Sequence, residues 1–194
     1  MKRRSIFALP LSSLLAALLL PGQPSVANST GPLASAAKGG HIVLIRHAYA
    51  PGTGDPSNFR IGDCSTQRNL DASGRQQARR IGARLRQAFR DPVPVYSSQW
   101  CRCLETAGLL GLGPVEELPA LNSFYDRPGE EKARMTALRR WLASRSLERP
   151  LILVTHQVTI TALSGIFPAS GEAVVLRRLA PGGWKAVGTV KADR

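Results

Sequence analysis

The chain has 194 residues, enough for one ordinary domain and too few for two of typical size. It carries 26 Lys and Arg against 13 Asp and Glu, a formal charge of +13, with 43% apolar residues. That apolar fraction excludes a disordered chain, and the positive balance suits an anionic partner such as a phosphate ester, a nucleic acid or an anionic envelope surface.

The first element is a leader. Lys2, Arg3 and Arg4 precede an apolar run from Ile6 to Leu20, which Pro21 and Gly22 break before the small residues Ser25, Val26 and Ala27. This is the pattern of a secretory signal, residues 1–27, cut after Ala27. The run contains Pro10, Ser12 and Ser13 and is short of the ~20 apolar residues of a membrane span. A twin-arginine signal and a plain basic one both fit Arg3-Arg4. Without the leader's three positive charges the net charge falls from +13 to +10. The expected location is outside the cytoplasm, in the periplasm, with no stable membrane insertion after cleavage. Residues 28–40 are small and polar and read as a flexible leader to a single domain, 41–194.

His41 to Ile45 is a short apolar run rich in β-branched residues, as in a strand buried on both faces, and 93–96 and 151–154 have the same character. Between them lie helical patterns. From Asp71 to Phe89, Ala78, Ile81, Leu85, Ala88 and Phe89 form an apolar stripe opposite arginines. Further helices are expected over 100–110, over 130–143 with Met135, Leu138, Trp141 and Leu142 on one side, and just after His156. Strands alternating with helices imply a mainly parallel sheet covered on both faces. Near the end, 174–179 and 184–190 flank Pro181-Gly182-Gly183 and read as a hairpin or edge strands. The loop from Ala48 to Leu70 is long and rich in Gly, Pro and Asp, the mark of a functional or disordered segment.

Chemistry gathers at the strand ends. Arg46-His47 closes the first strand, Ser97-Ser98 the second with Arg102 in the following helix, and Thr155-His156 the third. In a parallel α/β sheet the carboxyl ends of the strands form one ligand-binding rim, and helix N-termini there favour anions. Neutral imidazole is a nucleophile toward phosphorus, and guanidinium forks match phosphoryl oxygens. His41 lies six residues before His47, some 20 Å away along a strand, and reads as structural. Arg68 is a possible phosphate contact. The arginines at 75, 79, 80, 84, 86 and 90 read as a solvated helix face, since few aromatics are interleaved for stacking on nucleic acid. Neither HExxH nor H-x-E spacing occurs, so no metal site and no cofactor are expected.

Four segments together resemble the histidine phosphatase superfamily, founded on the cofactor-dependent phosphoglycerate mutases: Leu44-Ile45-Arg46-His47-Ala48; Asn69 to Ala78; Tyr96-Ser97-Ser98 with Arg102 and Glu105-Thr106-Ala107; and Val154-Thr155-His156. The resemblance covers about 41–165. It implies a three-layer α/β/α sandwich of the phosphoglycerate mutase type, and a phosphatase in which His47 carries the phosphoryl group as phosphohistidine. Arg46, Arg102 and His156 would bind the phosphate. Two departures stand out. Ala48 replaces the usual Gly, and the proton donor is not where either branch of the family places it, since residues 121–126 lack Glu and Gln157 follows the second His. Asp126 is the first candidate acid, followed by Glu130, Glu131 and Asp55. The implied substrate is a small phosphorylated molecule or an envelope glycolipid phosphate. The rival readings are an inactive phosphate-binding protein of the same fold and a basic nucleic-acid or envelope-surface binder.

The cysteines are Cys64, Cys101 and Cys103. Export to an oxidising compartment favours one bridge. Cys101 and Cys103 face different ways on one helix, so a bridge would join Cys64 to one of them, with Cys64 to Cys103 the pair expected first. No C-x₅-R phosphate loop accompanies them, which argues against a catalytic cysteine.

Overall fold

The computed structural model describes residues 31–180 and 182–191, so the signal sequence and its cleavage point lie outside the described residues. Six strands form one sheet: β1 (His41–Arg46), β2 (Val95–Ser97), β3 (Val115–Glu117), β4 (Leu151–Thr155), β5 (Ala173–Leu179) and β6 (Gly183–Val190), in the order β3-β2-β4-β1-β5-β6. The first four in that order run parallel, while β5 and β6 join as an antiparallel hairpin on the β1 side.

The continuous apolar run of β1 is explained by burial on both faces. Val43 and Ile45 point into one core with Val95, Ile152 and Val154, and Ile42 and Leu44 point into the other with Leu151 and Leu153. Helices α2 (Ala72–Ala88) and α3 (Cys101–Leu110) cover the first core through Ile81, Leu85, Ala107 and Leu110. Helices α4 (Glu131–Ala143) and α5 (Gln157–Ser164) cover the second through Met135, Leu138, Leu142, Ile160 and Leu163. The result is the expected three-layer sandwich.

Local chemistry sets the helix ends. Asp71 caps α2 by accepting the Gly74 N–H at 2.7 Å, and Gly111 ends α3 in the left-handed region at φ 62°. Gly82 lets α2 and α3 approach closely, since a Cβ there would lie 2.2 Å from the Leu110 carbonyl oxygen. Of the basic face of α2, Arg75 pairs with Glu105 and Arg86 donates to the Leu110 carbonyl, so these two brace the neighbouring helix.

Two expectations are corrected. From residue 31 on, the stretch read as a flexible leader is folded: Pro32–Ala36 forms helix α1, Ala36 is fully buried in the first core, and Gly40 N–H donates to the Leu147 carbonyl. Small residues suit such close packing as well as they suit a linker, and composition cannot separate the two. The second strand spans 95–97 rather than 93–96, and β3 went unread because its Val115-Glu116-Glu117 is too short and polar for a pattern.

Candidate active site

Parallel register builds the site. Arg46 pairs with Thr155 and Ser97 with Val154, so the next residues, His47, His156 and Ser98, meet at one rim. The two imidazole centroids are 5.6 Å apart. They open onto a cavity of about 110 Å³ lined also by Arg46, Arg68, Arg102 and the turn Gly52-Thr53-Gly54. His41 sits at the other end of β1, buried and within 3.2 Å of the Ser35 hydroxyl, holding α1 to the sheet.

His47 is buried, and its Nδ1 is 2.8 Å from the Ala48 carbonyl oxygen. A carbonyl only accepts, so Nδ1 carries the hydrogen and Nε2 keeps a lone pair. Burial, then the charges of Arg102, Arg68 and Arg46, push its pKa well below the usual histidine range against the opposing Ala48 hydrogen bond. The ring is therefore neutral and nucleophilic. Ala48 is itself held, donating its N–H to Thr106 Oγ1 at 3.0 Å, while Thr106 donates to the Arg102 carbonyl at 2.6 Å. Gly74 clears the loop beyond, where a Cβ would lie 1.9 Å from the Tyr49 carbonyl oxygen.

Three guanidinium groups line the cavity. Arg46 donates to the Pro168 carbonyl at 3.0 Å, and its buried Nε has no protein partner. Arg68 is tied to Gly54 and Ala50 carbonyls at 2.8 and 2.5 Å. Burial, then the charge of Arg102, lowers the pKa of both Arg46 and Arg68. Arg102 is bidentate with Asp55, at 2.7 and 3.1 Å, and its buried Nε is also unpartnered. Two orphaned guanidinium N–H groups beside mutually repelling cations fit an oxyanion.

Asp55 ranked last among the candidate acids, and the structure gives it another task. Its carboxylate also accepts from the Arg68 backbone N–H at 3.0 Å and the Trp100 indole at 3.0 Å. Burial, which alone would raise its pKa, is outweighed by the Arg102 hydrogen bonds and charge, so it stays ionised. Glu130 pairs with Arg134 at 2.6 Å and, like Glu131, is not part of the cavity wall. Asp126 lines the cavity, as do Ser123, Tyr125 and Gln157. A second cavity of about 500 Å³ shares Asp55, Ser123 and Asp126 with the first and adds Pro56, Phe59, Ile61, Trp100 and Arg127.

His156 is buried, with Nε2 2.9 Å from Ser98 Oγ and 3.5 Å from the Cys103 sulfur. Burial, then Arg102 and His47, lower its pKa well below the usual range. The bridge joins Cys64 to Cys101, with Cα atoms 5.7 Å apart, and this corrects the expected Cys64 and Cys103 pair. Cys103 is instead a buried free thiol, its pKa raised to about 12 chiefly by burial. The alternative fails for a helical reason: Cys101, at the start of α3, faces the loop that carries Cys64, whereas Cys103 faces inward to β4, its sulfur 3.7 Å from the Thr155 carbonyl oxygen. Ser98, Thr106 and Asn122 went unassigned in the sequence. Thr106 lies inside one of the four family-like segments, and Asn122 lies within 121–126, beside the candidate acid Asp126. No cluster of three His, Cys, Asp or Glu side chains able to hold a metal occurs among the described residues.

The family model described as "Histidine phosphatase superfamily (branch 1)" matches residues 42–125. Solved structures share the fold. The protein histidine phosphatase SixA complexed with tungstate is 14% identical, with a TM-score of 0.56, covering 78% of this chain and 97% of that one. The mycobacterial glucosyl-3-phosphoglycerate phosphatase complexed with VO3 is 19% identical, at 0.53, covering 75% and 96%. Mycobacterial hydrolase 2 is 19% identical, at 0.58, covering 80% and 93%. No curated protein matches the sequence.

Proposed function

From the match of residues 42–125 to the histidine phosphatase superfamily model, we propose that the chain is a phosphomonoester hydrolase of that superfamily working through a phosphohistidine on His47. The observation that carries this reading is the Nδ1 hydrogen bond from His47 to the Ala48 carbonyl, which leaves the Nε2 lone pair for the cavity of three arginines and a second histidine. Two of the solved neighbours are named phosphatases in complexes with the oxyanions tungstate and VO3.

In the first step Nε2 of His47 bonds to phosphorus as the ester P–O bond breaks, and the leaving oxygen takes a proton from the Asp126 carboxyl. In the second, a water oxygen bonds to phosphorus, the P–N bond breaks, and the water proton returns to Asp126. Each guanidinium about 4 Å from a phosphoryl oxygen contributes roughly 4 kcal/mol at an effective dielectric of 20, which stabilises the group in transfer without a metal in the scheme. The larger cavity beside Asp126 is the room for the leaving group. The substrate in this proposal is a small phosphorylated molecule or an envelope glycolipid phosphate, met by an exported protein.

A second reading, an oxyanion-binding protein without turnover, draws on the Asp55 carboxylate that already occupies both terminal nitrogens of Arg102. Trapping by a rapid quench into alkaline detergent, in which a P–N bond survives, separates the two. With ³²P-labelled aryl phosphate, the proposal expects an acid-labile phosphoenzyme in the parent chain and none in His47→Ala. Phosphate binding with neither label nor hydrolysis supports the second reading and overturns the first.

A further inference from the structure

Behind His156 the hydrogen bonds form a chain that ends on a carboxylate. Gln99 Nε2 lies 3.1 Å from Glu117 Oε2, and a carboxylate only accepts, so the Gln99 amide presents its oxygen to Asn122. Asn122 Nδ2 donates to that oxygen at 2.9 Å, and Asn122 Oδ1 accepts the Gln99 backbone N–H at 2.9 Å. The amide of the buried Asn122 is thus oriented twice over. Its Oδ1 stands 3.2 Å from Ser98 Oγ. Two oxygens at that distance need a hydrogen between them, and only the Ser98 hydroxyl has one to offer. With its hydrogen spent, Ser98 can only accept from His156 Nε2 at 2.9 Å. The Cys103 thiol, 3.7 Å from the Thr155 carbonyl, donates there and leaves its sulfur lone pairs toward Nε2.

We propose that Asn122, acting through Ser98, is a positioning residue that holds His156 as the Nε2–H tautomer, so that its Nδ1 meets the bound phosphate as a proton acceptor. This rests on the phosphatase reading and deepens it. No described protein group partners Nδ1, and the ring lines the cavity. A phosphomonoester monoanion entering there transfers its remaining proton to Nδ1: the phosphate O–H bond breaks, an N–H bond forms, and the complex becomes an imidazolium beside a dianion with its total charge unchanged. The titratable and charged groups around the ring and its cavity are Arg46 and His47 from the end of β1, Asp55 and Arg68 from the long loop, Arg102 and Cys103 from α3, and Tyr125 and Asp126 from the segment before α4. Burial and the three cations keep it neutral until the phosphate arrives, which is the state an acceptor needs. A chain of donors all aimed outward toward Glu117 supports the imidazolium once it forms.

The direct test is ¹⁵N NMR of the ligand-free protein. The Nε2–H pattern is expected for His156 in the parent and in Ser98→Thr, which keeps the hydroxyl. In Asn122→Leu the Ser98 hydrogen is released to Nε2, and the pattern should change to Nδ1–H. Inorganic phosphate supplies the second readout: its affinity should fall about tenfold per pH unit above its second pKa in the parent, and by less than threefold per unit in Asn122→Leu. An Nδ1–H pattern in the parent overturns the proposal, as does an unchanged pH slope in a folded Asn122→Leu. Should that variant not fold, the parent spectrum and slope decide alone. Absence of aryl phosphate hydrolysis would count against the phosphatase reading while leaving the tautomer measurement intact.

Discussion

Asp55 grips Arg102 with both carboxylate oxygens, at 2.7 and 3.1 Å, inside a pair whose side chains are only 6% and 3% exposed. The contact joins the loop after the first strand to the helix after the second, and it places a negative charge on the wall of the cavity proposed to receive a phosphate.

Asp55→Asn should therefore separate two properties. Removing one partner of a buried pair costs about 3–5 kcal/mol of stability. Removing a charge about 5 Å from a bound anion, worth roughly 3 kcal/mol at an effective dielectric of 20, should tighten inorganic phosphate binding at least tenfold at low salt. Calorimetric titration checks the affinity and thermal unfolding the stability. Weaker phosphate binding would show that Arg102 needs Asp55 for its aim more than it suffers from its charge.

Thr106→Val keeps shape and removes the acceptor of the buried Ala48 N–H. An unsatisfied buried donor costs about 1–3 kcal/mol. Because the Ala48 carbonyl also holds His47 Nδ1, activity on aryl phosphate should fall at least tenfold, mainly in kcat. An unchanged kcat in the folded variant would mean that Ala48 is held well enough without Thr106.

Reduction of the Cys64–Cys101 bridge, or Cys101→Ser, opens a link spanning 37 residues. The loop-entropy relation assigns such a closure about 4 kcal/mol. Urea midpoints with and without reductant measure it. The bridge precedes Arg102 directly and anchors the loop that bears Asp55 and Arg68, so KM should rise by more than kcat falls.

Acid should destabilise the fold through its two site histidines. Both have pKa values well below the unfolded value of about 6.5, so below that pH the unfolded chain binds more protons than the native one. Their stability contribution is fully present above roughly pH 7 and is lost as pH falls through 6.5 toward the depressed native values. Each costs at most about 1.4 kcal/mol per pH unit. The slope of stability between pH 6.5 and 5 should shrink in His47→Gln/His156→Gln, and an identical slope would place the proton uptake elsewhere.

What the amino-acid order determined is whatever repeats locally. The β-branched run of β1, the 3-4 stripe of α2 and the Asp71 cap are dictated by burial and backbone geometry within a few residues, and they sufficed for the layers of the sandwich. Arg46-His47, Arg102 and Thr155-His156 were legible because parallel strands deliver their carboxyl ends to one rim. Tertiary structure alone decided the rest: Asp55 on Arg102, Cys101 rather than Cys103 on Cys64, Ala36 in the core, and the path from Glu117 to His156. Each of these joins atoms far apart along the chain, where distance is set by packing and hydrogen-bond direction. A residue's neighbours in sequence carry no information about either.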